Sequence, residues 1–269
     1  MTRDKLINSV KEYVSSSSGN YISSEAAISP DLVGMKIFDE PIFAFGCVND
    51  TIYAKLKDEE AIGSHFMPPL EWMDSAKTAI SIFFPYSDQI KTANSKNYDW
   101  PADEWLHARY DGQTFLKEAM SYINSSINNT GYKSLIPSFD ERFKLGVETN
   151  RFTSNWSERH IAYACGLGTF GLSKGLITEK GVCGRFGSIV TELDLPKDVR
   201  KYTEIYEYCT MCQKCVTNCP PNAISDAGKD DLSCSDFIDT TLDKHRPMYG
   251  CGKCQVGVPC MSTTPGARG

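Results

Sequence analysis

The stretch Cys209-Thr-Met-Cys212-Gln-Lys-Cys215-Val-Thr-Asn-Cys219-Pro220 decides how this chain is read. Three cysteines at successive three-residue steps wrap three thiolates around one corner of an iron–sulfur cube, and the fourth, before proline, ligates a neighbouring cube. The tail beyond supplies a second set: Cys234, then Cys251, Cys254 and Cys260 within Gly250-Cys251-Gly-Lys-Cys254-Gln-Val-Gly-Val-Pro259-Cys260. Together these cysteines suffice for two [4Fe–4S] clusters. By the crossover rule Cys209, Cys212 and Cys215 share one cluster with Cys260, while Cys219 joins Cys234, Cys251 and Cys254. Structural zinc is the plain alternative, but it usually takes two separated Cys-x-x-Cys pairs. Cys260 is the least regular of the set, since ferredoxins usually place fewer residues after the equivalent of Cys254.

Working outward, the chain has 269 residues, 41% of them hydrophobic, enough for a sizeable core, with the cysteines gathered into a small appendage. The net charge of −6 offers no footprint for a phosphate backbone, so nucleic acid is not an expected partner. The first residues hold neither an apolar run with a cleavage site nor twin arginines, and no run is long enough for a bilayer; a cytoplasmic protein without membrane contact is expected. Eleven cysteines in such a chain read as metal ligands rather than disulfides. The three outside the cluster sets, Cys47, Cys165 and Cys183, read as small buried hydrophobes.

Leu6, Ile7, Val10, Tyr13 and Val14 share a helical face, ended by the serine run to Gly19. Residues 31–38, 42–48 and 78–84 read as strands, 50–62 as partly helical, and 132–136 as another strand. Between Pro101 and Ile127 the apolar spacing suits one or two helices interrupted at Asp111-Gly112. Ser157 caps a helix over Glu158 to Cys165 that Gly166 terminates. Ile177, Val182 and residues 189–195 suggest further strands. The mixture points to a layered domain over residues 1–200, followed by a cysteine domain over 201–269.

Gly166-Leu-Gly168-Thr-Phe-Gly171 matches the dinucleotide fingerprint, with Glu192 about twenty residues on. Its context excludes that use, because a Rossmann loop leaves a strand and opens a helix, whereas here a helix closes into Gly166. The glycines then serve close approach to a large flat cofactor or to a neighbouring strand. Asp243-Lys-His245-Arg-Pro-Met248 begins like a cobalt-ligating Asp-x-His-x-x-Gly motif, but Met248 stands where glycine is required.

Taken in order, Ser157-Glu158-Arg159-His-Ile-Ala-Tyr-Ala-Cys-Gly166-Leu-Gly168-Thr-Phe-Gly171, Gly184-Arg-Phe-Gly187-Ser188 and the double-cluster tail resemble the epoxyqueuosine reductase and reductive dehalogenase superfamily. Phe83-Phe84-Pro85-Tyr86 and Asp31-Leu-Val-Gly34 extend the resemblance over most of the chain. It implies an α+β architecture: a nitroreductase-like layered α/β domain followed by a small ferredoxin-like double-cluster domain. It also implies base-off cobalamin, held by Gly166, Leu167, Gly168, Gly171, Gly187 and Ser188, with the clusters feeding electrons to cobalt. Cluster potentials span roughly −700 to +450 mV, so a low-potential pair could drive cobalt to a strongly nucleophilic state. Flavin is a lesser alternative, since the layered fold can host it.

Three departures narrow the implied function. Epoxyqueuosine reductases place an acidic proton donor six residues before their Glu-Arg pair, and here that position is Phe152. The tRNA-binding extension of those enzymes has no counterpart after Cys260, and the twin-arginine signal of respiratory dehalogenases has none at the start. By their place between the motifs, Tyr98, Tyr110, Asp111, Glu148 and Arg151 become the candidate proton donors, each with solvated surface as its plain alternative. The expectation is an oxygen-sensitive, corrinoid-dependent oxidoreductase acting on a small organic substrate, fed by an electron-donor protein such as a ferredoxin or flavodoxin. The alternatives are a ferredoxin-type protein reducing a partner's cofactor, and epoxyqueuosine reduction in tRNA modification.

Overall fold

The computed structural model describes residues 1–148 and 151–266, with the side chains of Val147, Glu148 and Arg151 outside the description. Its strands are β1 Ile42–Cys47, β2 Thr78–Pro85, β3 Ser134–Leu135, β4 Leu145–Glu148, β5 Arg151–Ser154, β6 Gly168–Phe170, β7 Leu176–Thr178 and β8 Gly184–Thr191, with two short ones, β9 Ile224–Ser225 and β10 Gly228–Lys229. One sheet organises the molecule, in the order β1-β2-β8-β3 with every pair antiparallel. Every residue of β2 is buried. Successive side chains leave a strand on opposite faces, so a strand covered on both sides has no polar face to show.

Ile80, Ile82 and Phe84 enter one core with the helices Arg3–Ser16 and Asp103–Asn128; Ala79 and Phe83 enter a second core with the helix Glu158–Cys165. The result is a helix–sheet–helix sandwich of mixed class. Each large apolar side chain enclosed this way contributes about 1.5–3 kcal/mol, so the doubly covered β2 anchors both layers.

Local signals set the ends of the helices. Thr2 caps the first helix, its Oγ1 accepting from the Lys5 N–H at 3.3 Å, and Leu6, Val10 and Val14 form the buried stripe. Gly166 ends the Glu158 helix in the left-handed region, φ 106°, as its sequence predicts.

Several expectations are corrected. Residues 103–128 form one uninterrupted helix, because Gly112 admits a neighbour instead of breaking the turn: a Cβ there would lie 3.1 Å from Ile37 Cγ2 and 3.2 Å from Phe38 Cζ. Residues 31–38 are not a strand; a 3-10 turn over Pro30–Leu32 and Gly34 at φ 79° bend the chain, leaving isolated bridges at Lys36 and Phe38. Val182 follows a turn at Gly181 and belongs to no strand. The hairpin β4–β5 and the helix Asp231–His245 answer to no sequence expectation. That helix starts at Asp230, whose carboxylate accepts from Leu232 and Ser233 N–H groups, but its only buried residue is Thr241.

The cysteine-bearing tail is stitched to the sheet layers. Val256 is fully buried in the first core, Val182 N–H donates to Cys260 C=O at 2.9 Å, and Lys91 reaches Ser262 Oγ at 3.1 Å. Among the described residues no helix is long and apolar enough to cross a membrane.

Candidate functional site

The eight tail cysteines line two cavities. Cys219, Cys234, Cys251 and Cys254 surround an inner one of about 170 Å³, against the sheet layers. Cys209, Cys212, Cys215 and Cys260 surround an outer one of about 20 Å³, where Cys212 is exposed. The short helix Lys214–Thr217 holds Cys215 and ends two residues before Cys219, carrying the chain from one cavity to the other. Among the described residues no three His, Cys, Asp or Glu side chains converge as ligands of one metal ion. Thiolates around a four-iron cube bind four separate irons and stand around a volume rather than a point.

Burial pushes the thiols of Cys251 and Cys260 up to about 12 and that of Cys215 to about 11, neighbouring cysteines adding to the rise. Four thiolates so enclosed repel one another, and a polycationic iron core is what would let all four ionise. The two four-thiol donor sets fit two clusters, and the inner cavity leaves open room beside its set.

The loop 250–258 carrying Cys251 and Cys254 is clamped from the sheet side. Lys253 is 1% exposed, its Nζ donating to Asn94 C=O at 2.8 Å and Asn94 Oδ1 at 2.7 Å, while Asn94 Nδ2 donates to Cys251 C=O at 3.0 Å. Burial lowers the Lys253 amine to about 8, against the opposite pull of Cys251 and Asp99. Gly252 sits at φ 66° with the Trp105 ring 1.8 Å from where a Cβ would be. Gly252→Ala therefore meets both left-handed strain and a buried indole, and is expected to cost about 3 kcal/mol or more. Urea unfolding of the variant, with iron content as a second reading, measures that loss.

The inner cavity is also cationic. Arg109, Arg185 and Lys229 line it together with Tyr86 and Trp105. The Arg109 guanidinium stacks over Tyr249 at 4.5 Å, and burial, then Arg185, lower its pKa. Arg185 donates to Gln113 Oε1 and keeps its Nε buried without an acceptor. For Lys229 burial opposes the charge, but Cys254 and Cys234 outweigh it and raise the amine.

On the other side of the sheet lies Glu158, the first residue of its helix. Although the residue is half-buried, its carboxyl is enclosed. Oε2 accepts from Ser188 Oγ at 2.5 Å, Ser188 Oγ accepts from Trp156 Nε1 at 2.9 Å, and Oε1 is buried without a partner. Burial pushes the Glu158 carboxyl up to about 7, against the hydrogen bond from Ser188 that pulls it down. A carboxylic acid poised near neutrality can donate or accept a proton at working pH.

No protein-family model matches the chain. An epoxyqueuosine reductase in complex with an epoxyqueuosine-modified tRNA stem loop superposes on 96% of this chain and 65% of that one, with a TM-score of 0.57 at 18% identity. The epoxyqueuosine reductase of Bacillus subtilis does so over 97% and 66%, TM-score 0.54, 16% identity. A catabolic reductive dehalogenase matches over 83% of this chain and 30% of its own, TM-score 0.53, 17% identity. The chain has the epoxyqueuosine reductase fold. In sequence, the tetrachloroethene reductive dehalogenase of Desulfitobacterium hafniense is 38% identical over 66 residues, 24% of this chain and 12% of that protein. The chain thus spans about two-thirds of the length of the epoxyqueuosine reductases it superposes on and a small part of that dehalogenase.

Within the epoxyqueuosine reductase fold, the expected corrinoid contacts are mostly covered by protein. Ser188 is 0% exposed and spends its hydroxyl on Trp156 and Glu158. Gly187 faces Met120, whose Sδ would lie 2.6 Å from a Cβ. Gly168 lies against β7, a Cβ there meeting Ile177 O at 1.9 Å, so its close approach is to a neighbouring strand. Leu167 belongs to the second core, Gly171 lines the outer cysteine cavity, and Gly166, partly exposed, faces Arg200. Of these six positions, Gly166 keeps partial exposure and Gly171 borders a cavity.

Among the described side chains, the candidate proton donors Tyr98, Tyr110 and Asp111 do not converge. Tyr98 packs on the cysteine loop, its hydroxyl 1.8 Å from a Cβ placed on Gly257. Asp111 holds His107 Nδ1 at 2.6 Å, while His107 Nε2 accepts from Ile28 N–H at 3.1 Å, which fixes the tautomer and assigns the pair to clamping a loop. Tyr110 is exposed. Glu148 and Arg151 pair in register across β4–β5, with side chains outside the described residues. Phe152 is 52% exposed on the same hairpin. His245 Nε2 accepts from Trp100 Nε1 at 3.0 Å, so its lone pair is engaged. Cys165 and Cys183 are buried, whereas Cys47, ending β1, is exposed.

Sequence reasoning passed over Glu158, Arg109, Arg185 and Lys229. Glu158 stood inside the quoted Glu-Arg motif, so a signal existed for it. Arg185 likewise stood inside the quoted Gly184–Ser188 motif, whereas Arg109 and Lys229 carried no signal, because their meaning arises only from proximity to thiols far along the chain.

Proposed function

We propose that this chain is an iron–sulfur oxidoreductase with two [4Fe–4S] clusters, acting reductively on a small organic substrate beside Glu158, with base-off cobalamin as the group at which the substrate is reduced. The carrying observation is the sorting of eight thiols into two adjacent cavities, one open to solvent at Cys212 and the other set against the sheet domain. Its fold, shared with epoxyqueuosine reductases and a reductive dehalogenase, supports the same direction.

The glycine loop does not fit a corrinoid, as Leu167, Gly168, Gly187 and Ser188 are covered. The other side of the Glu158 helix fits better. Partly buried Phe170 and Phe186, on strands packed against that helix, offer flat apolar contact, and Glu158 Oε1 is a buried oxygen still without a donor. His245, in the cobalt-like motif, is engaged by Trp100 and is not among the residues that would hold the group. Cobalamin would supply a low-valent metal centre able to expel a leaving group. Glu158, poised near pH 7 and held by Ser188, would deliver the proton that Phe152 cannot.

Anaerobically purified, cluster-loaded protein is expected to convert added cob(II)alamin to its base-off spectrum. No spectral change at saturating cobalamin rejects the corrinoid. That outcome would favour the second reading, an electron-transfer protein serving a partner's cofactor, which the burial of the expected corrinoid contacts already supports.

A further inference from the structure

The two cysteine cavities differ in charge. Arg109, Arg185 and Lys229 reach the inner one, and no carboxylate is among the residues lining it. The outer cavity has neither cation nor carboxylate in its wall, which is made by residues such as Gly171, Ser173, Ile177 and Gln213. A four-iron cube on four thiolates is negatively charged and becomes more so on taking up an electron. A fixed cation beside it therefore favours the reduced form and raises its potential, as does a hydrogen bond to a ligating sulfur.

Lys229 can supply both. Its amine shares the cavity wall with Cys219, Cys234, Cys251 and Cys254, within reach of their sulfurs. Arg185 adds an Nε–H enclosed without an acceptor. Burial of the inner cavity acts in the opposite sense, since a low-dielectric wall disfavours added negative charge. Three cations with no carboxylate to cancel them outweigh that, because charges enclosed together are poorly screened. For the outer cluster, partial exposure at Cys212 is the one stabilising factor on its side.

We infer that the inner cluster is the electron sink of the pair, poised above the outer cluster by Lys229, Arg109 and Arg185, so that electrons entering at Cys212 run inward toward the sheet domain. The inference rests on the two-cluster reading above. In the step itself one electron leaves the reduced outer cluster and reduces the inner one; no bond forms or breaks and no proton moves. An external one-electron donor of low potential re-reduces the outer cluster.

The test is an anaerobic potentiometric titration of the reconstituted full chain, read by electron paramagnetic resonance, with Cys212→Ser identifying the outer signal by its loss. The inner cluster is expected to have the higher midpoint. Lys229→Gln should lower that midpoint alone, shifting the reduced-to-oxidised ratio of the inner cluster about tenfold or more at fixed potential, ~59 mV for a one-electron couple. Lys229→Arg should restore it. Arg185→Gln gives the same reading should Lys229→Gln lose iron. An inner midpoint below the outer one, or a Lys229→Gln shift that is absent or shared equally by both signals, overturns the inference. Wild-type iron far below eight atoms per chain overturns the two-cluster reading instead, which separates the two failures.

Discussion

Cys254→Ser is expected to purify with about half the iron of the wild type and to lose all reductive activity. Cys254 is the cysteine that touches most of this machinery: it lines the inner cavity, lies near Cys219 and Cys234, and enters the field felt by Cys215 of the outer set. Serine preserves its shape but presents a hard alcohol that ionises far less readily than a thiol. On the two-cluster reading, losing the inner cluster would also remove what binds residues 250–258 together from within, leaving the loop held by Lys253, Asn94 and the packing of Trp105 on Gly252. A bound metal group stabilises the fold that holds it, so the thermal midpoint should fall as well. Cys212→Ser, at the exposed rim, should lose a comparable share of iron with a smaller fall. Iron analysis with thermal unfolding decides; a Cys254→Ser protein retaining the full complement would remove Cys254 from the ligand set.

Glu158→Gln is expected to be more stable than the wild type above neutral pH and no different in acid. Burial moves the carboxyl from its ordinary 4.5 to about 7, so the folded chain prefers the neutral form. Its contribution to stability is complete below about 4.5 and is lost as pH rises through about 7, where a buried carboxylate must form. Glutamine resembles the neutral acid and never ionises. The two proteins should therefore match near pH 4.5 and separate by roughly 2–3 kcal/mol near pH 9, a figure reduced because Glu158 is half-buried as a residue. Denaturation series at the two pH values provide the comparison, and parallel curves at both would show that the carboxyl is not enclosed. If Glu158 also delivers the proton, the same variant should lose about 100-fold or more of its turnover despite its added stability.

Much of this architecture was legible in the chain. The apolar run of β2, the stripe Leu6, Val10 and Val14, and Gly166 after its helix are local patterns, and each element appears where its pattern predicts. The failures share a cause. Gly112 looked like a break because nothing near it in sequence shows Ile37 and Phe38 pressing on it. Of the two uses open to the glycine loop, a flat cofactor or a neighbouring strand, Gly168 shows the second against β7, a contact that no local pattern announces. The helix Asp231–His245 escaped notice because one buried residue leaves almost no periodic signal.

The sequence by itself determined the thiol inventory, the strand at the centre of the sheet and the ends of the principal helices, since sulfur spacing, side-chain alternation and capping act between residues a few positions apart. Only the tertiary structure decided which cations face the inner thiols, that Ser188 lies covered with its hydroxyl on Glu158, and that this carboxyl sits near neutrality. Desolvation and charge proximity sum over groups as distant in the chain as Arg109 and Cys234, and no short window of sequence contains that sum.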